Sequence, residues 1–362
     1  MSSAKRRTRA LVTVTAALSV LSLLALAGCT RAQRAETASS DKGPATELRL
    51  GFFPNVTHAS ALIANGKGYF TKELGNTKLT AQQFNAGPEE VAALLSGSLD
   101  AGFIGSGPAI NAFAKSESKD VRLISGATSG GAQLVVKPGV TSPEALKGKT
   151  ITTPQTGNTQ DIAAKKWLAG KGLSIGNGPD QVHVTALDNP QTFDAFRTGQ
   201  VDGGWLPEPW ASRLAVEAGA QVLQDERDLW PGGKFPTTVL IVRTQFLQEH
   251  PATVEALLRA QQDAVDFAAA NRAEAETVVN DQLKQFTGKG LSQPVLDRAF
   301  TNIELTADPL AAQFPQLAKD SVTAGVAKTA PDLRGFVDVS LLNKVLQAAG
   351  KPQVDTGGLD KK

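Results

Sequence analysis

The sequence predicts an α/β protein with two similar lobes, each a mostly parallel sheet flanked by helices, and a ligand cleft between the lobes. The first observation is an internal repeat: residues 97–104 (GSLDAGFI) and 199–206 (GQVDGGWL) each read as a turn, an Asp and an apolar run. The second is that a helical pattern precedes each copy, so one α/β unit occurs twice. The third is the length of 362 residues, enough for about two domains. Small ligands usually bind in clefts of this kind.

The first half alternates strands and helices. Apolar and polar residues alternate over 47–53, which predicts a strand, and further strands are predicted over 79–84, 100–104, 121–125 and 133–137. Helices are predicted over 58–67, 87–96 and 106–115, and the second of these carries Pro88 in its first turn. This alternation favours a mostly parallel sheet with helices on both faces.

The second half repeats the alternation and ends in helices. Strands are predicted over 150–152, 182–186, 202–206 and 221–223, and helices over 160–169, 190–198 and 210–218. A strand over 239–242 precedes helices near 251–271, 272–286, 292–302, 309–327 and 338–349. We expect lobe 1 to comprise 47–133 plus 237–362, lobe 2 to comprise 134–236, and two crossing segments to form a hinge.

The N-terminus reads as a targeting signal. Residues 4–9 are basic and 11–27 are apolar, which predicts a signal peptide over 1–28. Residues 26–29 (LAGC) resemble the bacterial lipoprotein box, which implies lipidation of Cys29; the alternative is an ordinary signal peptide with a chance Cys. Residues 29–46 are polar and are predicted to be a disordered tether. The predicted location is therefore the outer face of the bacterial cytoplasmic membrane.

Composition excludes several classes of function. Without the signal peptide, the chain has 33 Lys and Arg against 35 Asp and Glu, which gives no electrostatic footprint for nucleic acid. One Cys and three His without metal-ligand spacing predict no disulfide and no metal site. The sequence contains no Gly-x-Ser-x-Gly elbow, no phosphate-binding loop and no His-Glu-x-x-His. We therefore expect neither catalysis nor a cofactor.

Four loops at predicted strand ends are candidates for a ligand site. They are rich in Gly, Ser, Thr and Asn and carry no acid, a composition that binds an oxyanion through neutral donors and helix N-termini. The alternative is that these residues are only helix caps. The candidates are Pro54, Asn55 and His58; Gly105 and Ser106; Thr128 and Ser129; and Thr156, Gly157, Asn158 and Thr159.

Three further features have two interpretations. His58 is either a donor to the ligand or a packed residue, and Trp205 and Trp210 are either an aromatic face for the ligand or part of the core. Asp100 and Asp202 look like paired carboxylates, but their matching positions before buried strands favour structural roles in the turns.

The chain resembles a known family in several segments. Residues 48–58 (LRLGFFPNVTH), 84–90 (FNAGPEE), 97–105 (GSLDAGFIG) and 205–210 (WLPEPW) look like the nitrate, sulfonate and taurine group of ABC-transporter substrate-binding proteins. The same superfamily includes binders of thiamine pyrimidine precursors. The resemblance implies a two-lobed periplasmic-binding-protein fold of type II, and it adds Trp205 and Glu208 to the ligand loops.

The resemblance also implies a function. It predicts a monomeric, lipid-anchored solute receptor that captures a small organic oxyanion, first of all an aliphatic sulfonate, and delivers it to a permease with a cytoplasmic ATPase. Trp205 and Phe53 would then cover the organic part of the ligand. The alternatives are taurine, nitrate or a thiamine pyrimidine precursor as the ligand, or a pyrimidine-forming enzyme on the same fold.

Overall fold

The structure is a computed structural model that describes residues 40–361. The predicted signal peptide and Cys29 lie outside the described residues. The predicted tether extends too far along the chain: Ala45 is buried, and its N–H donates to Thr253 Oγ1 at 2.9 Å. The Thr77 hydroxyl donates to the carbonyl of Ala45 at 2.6 Å, so the last residues assigned to the tether belong to the folded body.

Six strands form the first sheet. They are β1 (Glu47–Phe52), β2 (Lys78–Gln83), β3 (Ala101–Gly105), β4 (Val121–Gly130), β10 (Pro236–Arg243) and β11 (Ile303–Leu305). Their order across the sheet is β11-β4-β10-β3-β1-β2.

Five strands form the second sheet. They are β5 (Ala132–Val136), β6 (Thr150–Thr153), β7 (His183–Ala186), β8 (Gly203–Pro207) and β9 (Gln221–Asp225), in the order β7-β6-β8-β5-β9. The order from β2 to β4 in the first sheet, β2-β1-β3-β10-β4, therefore matches the whole second sheet strand for strand. In each sheet the single strand supplied by a crossing segment, β10 or β5, is antiparallel to both neighbours. The remaining strands of these matched sets share one direction, so each sheet is mixed: parallel pairs lie on one side of the crossing strand, and the crossing strand itself pairs antiparallel.

The two Asp residues of the repeat have the same structural role. Asp100 Oδ2 accepts the N–H of Arg49 at 2.9 Å, and Asp202 Oδ2 accepts the N–H of Thr150 at 2.9 Å. Each carboxylate thus holds the start of the strand that pairs beside its own. The structural interpretation of the two Asp residues agrees with these bonds, and neither Asp lies at a strand end that faces the other sheet.

Helices cover the two sheets and continue into a C-terminal region. Two short helices, α2 (Tyr69–Leu74) and α8 (Thr244–Glu249), and strand β11 were not predicted from the sequence, since each is too short to show a periodic pattern. The helices are α1 (Ala59–Gly66), α2 (Tyr69–Leu74), α3 (Gly87–Leu95), α4 (Ser106–Lys115), α5 (Thr159–Gly170), α6 (Asn189–Arg197), α7 (Trp210–Ala218), α8 (Thr244–Glu249), α9 (Pro251–Ala270), α10 (Arg272–Thr287), α11 (Gln293–Thr301), α12 (Phe314–Thr323) and α13 (Ser340–Ala348).

The apolar core follows the division into two sheets. One large cluster joins the first sheet to α9, α10 and the later helices, and two smaller clusters cover the two faces of the second sheet. Among residues 40–361, no helix combines the length and the apolarity that crossing a bilayer requires.

Candidate ligand-binding site

The strand ends of the two sheets meet at a small buried space, which we call the inner cavity, of ≈ 30 Å³. Equivalent positions of the internal repeat face each other across it, because the carboxyl ends of parallel strands are where open α/β sheets present their loops. Three such pairs line the cavity: Phe53 with Pro154, Gly87 with Asn189, and Gly105 with Pro207.

Four helices point their N-termini at the inner cavity. Gly87 begins α3, Gly105 is the residue before α4, Thr159 begins α5 and Asn189 begins α6, and all four residues line the cavity. The first N–H groups of a helix have no partner within the helix, and the macrodipole makes this end positive. Four such ends around one space favour a negatively charged ligand.

His58 presents a neutral donor to this space. Its side chain is 2% exposed, and burial lowers its pKa from 6.5 to about 3, so the ring is neutral at physiological pH. The Nδ1 atom accepts the N–H of Phe53 at 3.3 Å. A neutral ring whose Nδ1 accepts carries its proton on Nε2, which leaves an N–H available to a ligand.

Asn55 is oriented by a hydrogen bond from the other sheet. Trp210 Nε1 donates to Asn55 Oδ1 at 3.0 Å, and Trp210 begins α7, which packs on the second sheet. Because the oxygen of the amide is occupied, the two Nδ2 hydrogens of Asn55 remain as donors. Asn55 lines the inner cavity, so this bond fixes which group it offers there.

Gly105 and Thr159 bring the two halves into direct contact. A Cβ at Gly105 would lie 2.3 Å from Thr159 Oγ1, and the N–H of Gly107 donates to the same oxygen at 3.3 Å. Only a residue without a side chain allows this approach without displacement. The wall of the inner cavity thus closes between α4 and α5.

The lining of the inner cavity contains amides, hydroxyls and one neutral imidazole, and no Lys, Arg, Asp or Glu among the described residues. Two buried polar atoms next to it have no hydrogen-bond partner within the described chain: Ser106 Oγ and Asn189 Oδ1. Ser106 is 0% exposed and Asn189 is 6% exposed. Buried polar atoms usually have partners, so these two are candidates for contact with a ligand.

The structure brings together part of the predicted site. Asn55, His58, Gly105, Asn158 and Thr159 line the inner cavity. Asn158 Oδ1 also accepts the N–H of Asp161 at 2.8 Å, so the helix-cap interpretation and the cavity position hold for the same residue.

Three predicted residues lie beside this group. Ser106 follows Gly105 at the start of α4, but it is not among the lining residues. Thr156 is exposed, and Gly157 donates its N–H to Asp161 Oδ2 at 2.8 Å. Thr156 and Gly157 thus form the turn before α5.

The structure places Thr128 and Ser129 within a strand. The predicted loop over 126–131 is the second half of β4, which pairs with β10 and β11. The Thr128 hydroxyl donates to the carbonyl of Thr57 at 2.6 Å, and Ser129 Oγ accepts the N–H of Phe235 at 3.3 Å. Both side chains are therefore engaged in structural bonds, away from the lining of the inner cavity.

Trp205 and Glu208 also lie outside the cavity. Trp205 is 0% exposed, packs against Trp167 with ring centres 5.9 Å apart, and donates to Glu226 Oε2 at 3.0 Å. Trp205 is therefore a core residue of the second sheet and lies outside the lining of the inner cavity.

Glu208 belongs to a buried network that joins the two halves. Its Oε1 accepts from Asn302 at 2.7 Å and from Arg298 at 3.3 Å, and its Oε2 accepts the N–H of Ser212 at 3.1 Å. Burial raises the pKa of Glu208, while its bonds to Asn302 and Ser212 lower it. The carboxylate is saturated by these partners.

A second, larger space, which we call the outer chamber, adjoins the inner cavity and has a volume of ≈ 490 Å³. Pro54, the remaining predicted residue, lines this chamber. The two spaces share four lining residues: Asn55, Asn85, Pro154 and Asn189.

Several lining residues escaped the sequence analysis. The repeat offset of 102 residues that pairs Pro88 with Pro190 also pairs Gly87 with Asn189, so it contained a signal for the α6 end of the site. Thr237 and Thr238 gave no comparable signal, because they reach the cavity only through the return of β10 to the first sheet. The missed lining residues of the inner cavity are Thr57, Asn85, Ala86, Gly87, Pro108, Pro154, Gln160, Asn189, Pro207, Thr237 and Thr238.

Two sheets of matching strand order, joined by two crossings and facing each other across a buried cavity, define a two-lobed ligand-binding protein. A family model described as the NMT1-like family matches residues 41–280, and the chain belongs to this family. The chain is 31% identical over 208 residues to the taurine-binding periplasmic protein of Escherichia coli (strain K12). That match covers 56% of this chain and 61% of the relative, which is less than two thirds of the relative's length.

Two solved structures show the same fold. The alkanesulfonate-binding protein SsuA from Xanthomonas axonopodis pv. citri, bound to MOPS, has a TM-score of 0.65 at 23% identity and covers 83% of this chain and 97% of its own. The periplasmic nitrate-binding protein NrtA from Synechocystis PCC 6803 has a TM-score of 0.68 at 16% identity, with coverage of 85% and 90%. At these identities the similarity establishes the periplasmic-binding-protein fold alone.

Proposed function

We propose that this protein is the solute-binding component of an ABC importer and captures a small organic oxyanion, with an aliphatic sulfonate as the leading candidate. The observation that carries the proposal is the convergence of four helix N-termini and a set of neutral donors on a cavity whose lining has no charged side chain. Backbone N–H groups and helix dipoles bind such an anion without a full ion pair.

A sulfonate suits this donor set. Its three oxygens accept hydrogen bonds and it remains ionised at every physiological pH, so it needs neither a base nor a cation in the site. His58 Nε2 and Asn55 Nδ2 are donors available to a head group in the inner cavity, and the unpartnered Ser106 hydroxyl lies beside its lining. The relative with 31% identity is named for binding taurine, which is an aminoalkanesulfonate.

The ligand would be held by closure of two lobes. We assign 47–133 plus 237–362 to lobe 1 and 134–236 to lobe 2, and the passages from β4 to β5 and from β9 to β10 support these bounds. The inner cavity is too small to admit a solute as it stands, so the lobes part for entry and close over the head group. A ligand stabilises the closed state by its higher affinity for that state.

The remaining parts of the proposal concern cellular context. The protein would be exported, attached to the outer face of the cytoplasmic membrane through lipidated Cys29, and monomeric, and it would deliver its ligand to a permease with a cytoplasmic ATPase. It would catalyse no reaction. Metabolic labelling with palmitate in the native host, with Cys29→Ser as the control, tests the anchor; equal labelling of both proteins would exclude it.

Isothermal titration and thermal unfolding of the purified protein test the ligand class. The ligands are 1-hexanesulfonate, taurine, nitrate and an aminopyrimidine, and 1-hexanol serves as the matched control without a head group. A bound ligand at one hundred times its Kd stabilises the fold by ~2.7 kcal/mol. We expect stabilisation by a sulfonate and none by 1-hexanol.

A heteroaromatic precursor is the second candidate. The specific observation in its favour is Asn189 Oδ1, a buried acceptor without a partner, which suits an amino group on a ring better than a sulfonate oxygen. Stabilisation by the aminopyrimidine alone would refute the sulfonate proposal and support this one. Turnover of any of these compounds would instead indicate an enzyme.

A further inference from the structure

The outer chamber differs from the inner cavity in its larger size and in having charged residues in its lining. Its volume of ≈ 490 Å³ lies in the range typical of pockets for organic molecules, whereas the inner cavity measures ≈ 30 Å³. The chamber adjoins the inner cavity at the four lining residues that they share. A ligand whose head group occupies the inner cavity therefore has one adjoining space for the rest of the molecule.

One part of the outer chamber has an apolar and rigid wall, while its other lining residues are polar, charged or Gly. Proline rings have little conformational freedom, and flat aromatic faces prefer ordered stacking contacts. Eight apolar residues from both halves of the protein form this wall: Pro54, Phe84, Pro154, Pro190, Pro209, Trp210, Leu283 and Leu291.

Trp210 is held in place at two points. Its indole N–H donates to Asn55 Oδ1 at 3.0 Å, and the Arg213 guanidinium lies 4.8 Å from the centre of its ring. Arg213 is itself anchored by Glu217 at 3.0 Å. An aromatic side chain fixed in this way loses little freedom when a ligand stacks on it, which is the benefit of preorganisation.

Two charged residues of the chamber lining have no ion pair among residues 40–361, and both are exposed to solvent. These residues are Asp188 and Lys289, which remain hydrated. Desolvation of a free charge therefore does not oppose entry of an apolar group past Trp210.

We propose that the outer chamber is a tail subsite and that the natural ligand is a sulfonate bearing an aromatic ring, which stacks on Trp210. This inference rests on the proposed binding of a sulfonate head group in the inner cavity. Trp210 would then select the ligand twice, since it forms the platform for the ring and orients Asn55 toward the head group.

The test compares dissociation constants of methanesulfonate, 1-hexanesulfonate and naphthalene-2-sulfonate by isothermal titration. In the native protein we expect the naphthalene compound to bind at least about tenfold more tightly than methanesulfonate, and more tightly than the linear chain, because it buries a flat apolar surface. 2-Naphthol, which lacks the sulfonate, should bind far more weakly than naphthalene-2-sulfonate.

Two variants separate the platform from the hydrogen bond. Trp210→Phe and Trp210→Met both lose the bond to Asn55, but only the methionine variant loses the aromatic face. We expect the ratio of naphthalene-2-sulfonate to methanesulfonate affinity to stay within about threefold of the native ratio in Trp210→Phe and to fall at least about fivefold in Trp210→Met.

Each failure has a distinct meaning. If none of the three sulfonates binds the native protein, the proposed sulfonate function itself is wrong. If methanesulfonate binds and naphthalene-2-sulfonate binds no more tightly than it or than 1-hexanesulfonate, the proposed function stands and the aromatic tail subsite is wrong. An unchanged affinity ratio in Trp210→Met likewise overturns the platform role.

Discussion

Gly105→Ala perturbs the contact between the two halves with a single methyl group. Gly105 has φ −65° and ψ 148°, a conformation open to alanine, so the substitution strains no backbone. The new Cβ would lie 2.3 Å from Thr159 Oγ1 and 3.5 Å from Pro108 Cδ. Only the first distance is a clash, and it involves α5, which belongs to the second sheet.

The size of the effect follows from the two ways to relieve this clash. Either the Thr159 side chain rotates and gives up the bond from Gly107, which costs about 0.5–1.5 kcal/mol, or α4 and α5 separate by about 1 Å, and overpacking of this kind costs roughly 1–3 kcal/mol. Both costs destabilise the state in which the two lobes are in contact, because the clash is absent when the lobes are apart. We expect a loss of about 1–2 kcal/mol, which corresponds to about 5–30-fold weaker binding.

Titration of 1-hexanesulfonate into the native protein and the variants measures this loss. Gly105→Ala combined with Thr159→Ala lacks the clashing oxygen and should therefore bind almost as tightly as Thr159→Ala alone. Gly105→Ala combined with Thr159→Ser keeps the oxygen and should stay weak, so it is the matched control. The double-mutant cycle with Thr159→Ala should give a coupling of about 1 kcal/mol or more.

Two results would refute this reasoning. One is native affinity in Gly105→Ala, since the ligand-bound protein would then not contain the close approach of Gly105 to Thr159. The other is strict additivity of Gly105→Ala and Thr159→Ala, which would place the effect of the methyl group elsewhere. Circular dichroism of each variant separates a loss of binding from a loss of folding.

Three further predictions concern buried side chains. Burial lowers the pKa of His58 from 6.5 to about 3, so between these pH values the unfolded chain binds a proton at His58 and the folded protein does not. The free energy of unfolding should therefore decrease as the pH is lowered from about 6 to about 4. This decrease should be about 1.4 kcal/mol per pH unit steeper in the native protein than in His58→Asn. Equal slopes in urea unfolding would contradict this. Because burial raises the pKa of Glu226 from 4.5 to about 8, the folded state holds an extra proton between these values, so Glu226→Gln should lose less stability than the native protein when the pH rises from about 5 to about 8. Trp205→Phe should cost about 2 kcal/mol of unfolding free energy and change the Kd for 1-hexanesulfonate less than about threefold, since Trp205 lies outside both cavities; a large loss of affinity at unchanged stability would return Trp205 to the site.

The local sequence pattern was sufficient to predict the internal repeat and the strands that belong to it. The turn-Asp-strand signal predicted β3 and β8, and the composition of the loops after β3 and β6 predicted Gly105 and Thr159 as candidates for the site. These residues act through backbone position, which a repeated motif fixes directly. Asn189 lies at the same repeat position as Gly87, so the information was present although the residue types differ.

Contacts between residues distant in sequence determine the features that the local sequence pattern did not predict. Residues 126–131 contain three glycines and read as a loop, but β10 and β11 on either side supply partners for this segment and make it the end of β4. All five residues of β8 are buried, so a short run cannot reveal which face Trp205 occupies. For Trp210 the sequence left a choice between core and ligand, and the bond to Asn55 depends on a residue 155 positions away.

The two crossing strands, β5 and β10, determine the order in which the two sheets can be completed during folding. Every strand of the second sheet comes from one uninterrupted stretch, Ala132 to Asp225, whereas β3 and β4 of the first sheet do not touch until β10 is inserted between them. During synthesis or export, the first sheet therefore cannot be completed until the chain as far as Arg243 has left the ribosome or the export channel. The half that is made first is the half that is finished last.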